Sequence, residues 1–131
     1  EALKRHLQKK KIKFIDVGCF SMKPNDFTEF VPPLVRGVRH SPANRGVLVC
    51  KTGHGMVIGA NRFRGIRAAL VQSVPQARSA KTHDNANVLC LAAWVTPPQQ
   101  ATKIFSAWQA AAFKPLPRRV RRFKAVDRWP R

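Results

Sequence analysis

The chain has 131 residues, enough for one domain with a single core and too few for two well-buried ones. Apolar residues make up 44% and charged residues 24%, which argues against wholesale disorder, and no apolar run approaches the ~18 residues of a membrane span. Its 25 Lys and Arg against 6 Asp and Glu give a net charge of +19, a field that draws phosphates on nucleic acid, anionic lipid or metabolites without choosing among them.

Residues 1–10 contain no Gly or Pro and offer Ala2, Leu3 and Leu7 for burial, which predicts a basic helix. Ile12 to Val17 reads as a strand ending at Gly18. Phe27, Phe30, Val31, Leu34, Val35 and Val38 have helical spacing, but Pro32-Pro33 predicts that this helix starts late or kinks. Gly46 to Cys50 is a short apolar run after polar Ser41 to Arg45, the pattern of a strand buried on both faces. A loop over 51–55 leads into a helix over 56–63. Further buried strands are predicted at 66–71 and 87–91, and helices at 75–82 and 97–112. Pro115-Leu116-Pro117 ends the last of these, and a basic helix over 118–126 follows within a basic tail, 114–131. Strands alternating with helices imply one α/β domain over 1–131 with a parallel sheet covered on both faces.

In such sheets ligands bind at the carboxyl ends of the strands. The stretch 50–55 stands out there, because a thiol at a strand end is followed by Thr52, then Gly53 and Gly55, then a helix. Glycines let backbone N–H groups approach an anion, and those groups favour the thiolate of Cys50. Read blandly, a buried Cys is a small hydrophobe, which suits Cys19 and Cys90, and a loop-to-helix turn needs glycines without any ligand. The spacing G-x-G-x-x-x-G fits neither nucleotide signature. His6, His40, His54 and His83 show no metal spacing, so no metal is expected. His83, just before a buried strand, reads either as part of a helix-ending turn or as an acid/base group. Arg118 and Arg122, four apart, share a helix face where one phosphate can meet both. Three cysteines, odd in number and set apart, argue against a disulfide framework, and with no secretory pattern at the front they imply a reducing, cytoplasmic setting.

The runs GVLVCKTGHGMVIGANR at 46–62, GIRAAL at 65–70 and HDNANVLCL at 83–91 come with Asp16-Val17-Gly18, Asp26-Phe27 and the arginine tail. Together they resemble the type B ribose-5-phosphate isomerases, whose superfamily includes galactose-6-phosphate isomerase subunits. The resemblance covers essentially the whole chain in order. It implies a Rossmann-like three-layer α/β/α sandwich with a mostly parallel sheet, and a homodimer or dimer of dimers with active sites between subunits. It also implies no cofactor and no membrane, and a phosphorylated pentose or hexose as substrate. The implied reaction interconverts aldose and ketose phosphates, typically ribose 5-phosphate and ribulose 5-phosphate, through a cis-enediolate.

Carried over by position, Cys50 is the base, since Met56 stands where another subgroup has glutamate. Thr52 assists proton movement between oxygens, Gly53 and Gly55 belong to the anion hole, and His83 opens the sugar ring. Asp84 meets substrate where the family has an amide, and Arg118 and Arg122 hold the phosphate. The family's first strand, with its Asp-His-Ala-Gly, is not among these residues, so an unpaired sheet edge and exposed apolar surface are expected. Trp94 replaces an arginine, Phe27 a tyrosine and Lys51 a glycine. A competing expectation is a catalytically impaired paralogue that binds sugar phosphates or polyanions through its basic surface. Nucleic acid is possible but not favoured, since no recognition motif accompanies the basic ends.

Overall fold

The computed structural model describes residues 1–130. In chain order it contains α1 (Ala2–Lys9), a 3₁₀ turn (Phe27–Glu29), α2 (Val31–Arg39), β1 (Gly46–Cys50), α3 (His54–Ala60) and β2 (Ala68–Leu70). There follow α4 (Val74–Asp84), β3 (Val88–Ala92), α5 (Pro98–Ala110) and α6 (Pro117–Arg128). The late start expected over 27–39 takes the form of the 3₁₀ turn followed by α2. Pro32 and Pro33 fall in the first turn of α2, where missing N–H donors cost no helical bond.

The three strands are all parallel, in the order β1-β3-β2, with Cys50 beside Ala92 and Leu70 beside Cys90. Alternation along β3 divides the core in two. Leu89 and Leu91 face a cluster with Leu7, Ala77, Ile104 and Trp108, which belongs to α1, α4 and α5. Val88 and Cys90 face Val31, Leu34, Val35, Met56 and Ala60, which belongs to α2 and α3. The result is the expected Rossmann-like three-layer sandwich. Two asparagine amides fasten the α3–β2 connection. Asn61 Oδ1 accepts from Ala68 N at 2.8 Å, and Asn87 Oδ1 accepts from Arg67 N at 2.8 Å.

One predicted element does not form. Residues 12–17 make no strand, and Phe14 and Ile15 stand exposed. A strand exists only through ladder bonds to a neighbour. The free edges among the described residues are the outer edges of β1 and β2, and neither bonds this segment. Val49, on the unpaired edge strand, is also exposed.

The core holds an uncompensated cation. Lys81 is 6% exposed, has no carboxylate partner among the described residues, and sets its Nζ 4.4 Å from the Trp108 ring centroid. Desolvation, and then the charge of Arg45, push its ammonium down to about 8. Above that pH the folded chain gives up the Lys81 proton before the unfolded chain does, so stability rises with pH. From pH 9.0 upward Cys90 opposes it, because burial and then neighbouring Cys50 push its thiol up to about 12 and the unfolded thiol ionises first. Lys81→Met is therefore expected to raise Tm at neutral pH and abolish the rise between pH 8 and 9.0, as read by thermal melts. The lost cation–π contact limits the gain to about 1 kcal/mol.

Candidate functional site

The connection β1–α3–β2 runs over one face of the sheet, and β3–α5 leaves over the other. The carboxyl ends of the adjacent strands β1 and β3 are thus a topological switch point, the place where open parallel sheets bind their ligands. Cys50 is the last residue of β1 and lies at this point, half-buried. Its Sγ accepts from Gly53 N at 3.1 Å, so a backbone N–H points at the sulfur. Cys90 is sealed inside the core and its raised pKa removes it as a base at neutral pH, while Cys19 lies on an exposed loop.

Gly53 cannot be another residue without distortion. It caps α3 with φ +81°, and a Cβ there would collide with the Leu70 side chain. A Cβ on Gly55 would come within 2.8 Å of the Phe27 ring, which packs over the start of α3. Thr52 Oγ1 accepts from His54 N at 3.3 Å and keeps its own proton free to donate. Trp94 N donates to Lys51 O at 3.0 Å, and Lys51 Nζ lies 5.5 Å from the Trp94 ring centroid. The sequence treats Lys51 and Trp94 as separate departures. The fold joins them into one wall beside the thiol.

Four other candidates lie elsewhere in the chain. His83 and Asp84 end α4, where Asn85 closes the helix in a left-handed conformation (φ 51°) just before β3 begins. Lys114 N donates to Thr82 O, which brings the start of α6, with Arg118 and Arg122, to the same amino edge of the sheet. A five-residue strand such as β1 spans ~16 Å, further than a histidine side chain can bridge. One chain therefore assembles Cys50, Thr52, Gly53 and Gly55, and separates them from His83, Asp84, Arg118 and Arg122. Two cavities, of about 490 and 460 Å³, also lie away from Cys50. Among the described residues no three His, Cys, Asp or Glu side chains gather as a metal ligand set, and no helix is long and apolar enough to cross a membrane.

Fold and site together define an α/β protein with a half-buried thiol at the switch point of a parallel sheet. The sequence pattern of the ribose/galactose isomerase family matches residues 1–126, and the chain belongs to that family. It is 35% identical over 111 residues to a probable ribose-5-phosphate isomerase B of Mycoplasma pneumoniae, covering 84% of this chain and 73% of that protein. The crystal structure of a ribose 5-phosphate isomerase of Thermotoga maritima superposes with TM-score 0.94 at 34% identity, over 98% of this chain and 88% of that one. The ribose-5-phosphate isomerase B of Mycoplasma genitalium, solved with bound ribulose-5-phosphate, gives 0.90 at 32% identity, over 96% of this chain and 84% of that one.

Proposed function

We propose that the chain is a single-domain sugar-phosphate aldose–ketose isomerase, with ribose 5-phosphate and ribulose 5-phosphate as its substrate pair. The observation that carries this reading is the Cys50 thiol at the switch point, bonded by Gly53 N, in a chain 32% identical to an isomerase with bound ribulose-5-phosphate. The Cys50 thiolate takes the proton from C2 of the open-chain aldose, and the electrons of that C–H bond form the cis-enediolate. Thr52, whose hydroxyl proton is uncommitted, relays a proton from O2 to O1. The Cys50 thiol then returns its proton to C1 as C2 becomes the carbonyl. Nothing is consumed, and no cofactor enters the balance.

The sugar ring and the phosphate need groups that the chain keeps at its other edge. A homodimer in which that edge of one subunit faces the switch point of the next would supply His83 for ring opening, and Arg118 and Arg122 for the phosphate. Large apolar side chains exposed on the elements leaving the switch point, Ile58, Trp94 and Val95, support such pairing. The reading is tested by incubating the protein with ribose 5-phosphate in D₂O and following both ribulose 5-phosphate and exchange at carbon by NMR. Product with deuterium at C1 supports it, and neither product nor exchange from folded protein rejects it. Asp84 favours the second reading, an impaired relative that binds phosphates without turnover, because its carboxylate is exposed and repels a phosphorylated sugar.

Lys51 restores near the thiol a cation that Trp94 takes away. Lys51→Met is expected to raise KM for the sugar phosphate about fivefold and leave kcat within about twofold, as initial-rate kinetics would read it. An equal fall in kcat and kcat/KM would instead give Lys51 a role confined to the transition state.

A further inference from the structure

The cavity of about 490 Å³ lies at the amino edge of the sheet, beyond the starts of β1, β2 and β3, and none of the residues assigned to sugar-phosphate chemistry lines it. Four arginines do: Arg39 from the end of α2, Arg45 before β1, and Arg64 and Arg67 before β2. Among the described residues no carboxylate lines it, and the one ion pair these arginines make joins Arg67 Nη1 to Asp127 Oδ2 at 3.3 Å. Arg67 is further fixed by donating Nε–H to Asn85 O at 2.8 Å, and Arg45 is held by the carbonyls of Pro42 and Asn44. The side chains of Arg39 and Arg64 make no hydrogen bond or ion pair among the described residues, so two guanidinium forks are free beside two that are anchored. The cations already feel one another, since the charge of Arg45 lowers the pKa of both Arg67, behind desolvation, and Lys81. Like charges gathered in a concavity, most of them without a counter-charge, raise the energy of the empty site and favour an anion that meets several at once.

We propose that this amino-edge cavity is a binding site for a small organic compound carrying two or more phosphates, held by Arg39, Arg45, Arg64 and Arg67. Guanidinium forks match phosphate oxygens two at a time, and several forks around one concavity select multiple phosphates over a single one. The volume suits a ligand of nucleotide size rather than a bare ion. Val38 and Pro42 give its non-phosphate part an apolar wall.

Calorimetric titration at fixed ionic strength, with orthophosphate, inorganic pyrophosphate and a nucleoside diphosphate as probes, tests the proposal. Beside any phosphate held by Arg118 and Arg122, one molecule of pyrophosphate or nucleoside diphosphate per chain is expected at this cavity, about tenfold or more tighter than orthophosphate there. The double variant Arg39→Ala/Arg64→Ala removes two exposed side chains that fasten nothing, so it should fold, and it should weaken pyrophosphate binding about tenfold or more. Arg118→Ala/Arg122→Ala removes any phosphate held by the proposed substrate site and should leave the tighter pyrophosphate binding at the cavity within about twofold. Equal weakening by both double variants would reduce the site to the general field of a +19 chain and overturn it. So would a failure to prefer pyrophosphate over orthophosphate, or binding confined to long polyanions such as single-stranded RNA.

Discussion

Cys50→Ser is expected to lower kcat for sugar-phosphate isomerisation about 100-fold or more, with KM changed only a few-fold. Serine has nearly the same shape and keeps the acceptor for Gly53 N, so the loop, the left-handed turn at Gly53 and the start of α3 should all survive. What changes is the basic atom: an alkoxide is far harder to form than a thiolate, so serine cannot take the base role proposed for the sulfur. In the proposed mechanism other groups bind the substrate, so the loss should fall on the chemical step. The matching control is Cys90→Ser, whose sulfur is fully buried and kept protonated. That change should cost stability through an added buried hydroxyl and leave kcat near wild type. Steady-state kinetics on both variants, with circular dichroism to verify folding, give the answer. A Cys50→Ser enzyme with wild-type kcat would remove the thiol from the mechanism.

The sheet was legible where burial on both faces imposes continuous apolar runs. Gly46 to Cys50 and the run before Ala92 stand out because no polar residue interrupts them, and β1 and β3 form within a residue of where they are expected. Only β3 is buried throughout, however, and Val49 leaves β1 half open to solvent. The Cys50 loop was legible for a related reason, since a left-handed turn pressed against Leu70 admits only glycine at 53. Elements that depend on distant neighbours were not legible. Ile12 to Val17 has the composition of a strand, yet strand formation is a property of a pair, and composition carries no information about an absent ladder. The helix after the loop begins at His54 rather than Met56, because Gly53 caps it, a backbone event that apolar spacing does not report. The contact between Lys51 and Trp94, 43 positions apart, is fixed by the β1–β3 register and could be read only from the fold. The same register explains the scattered candidate residues. His83 reads as a neighbour of Cys50 in a list of motifs and sits at the opposite edge of the sheet.

Mixing two inactive variants is expected to restore activity. In a two-fold dimer whose sites each combine Cys50 of one subunit with His83 of the other, Cys50→Ser and His83→Ala damage complementary halves. A mixed dimer then holds one site with both defects and one with none, because the His83→Ala subunit supplies an intact thiol and the Cys50→Ser subunit an intact imidazole. Random reassortment makes about half of the dimers mixed, so about a quarter of wild-type activity should return. A site contained within one chain returns nothing in this experiment, since every such site keeps its own lesion. The separation of the two edges by the length of β1 is what makes the outcomes distinct, for no side-chain rotation closes ~16 Å. Co-purifying the variants after mild unfolding and refolding, then assaying ribulose 5-phosphate formation against the two parents treated alike, measures it. Arg118→Ala/Arg122→Ala in place of His83→Ala should complement Cys50→Ser in the same way, because those arginines share the His83 edge. Activity no higher than that of the parents, with mixed dimers demonstrated by mass, would confine the catalytic groups to a single subunit and exclude His83 from acting at the thiol.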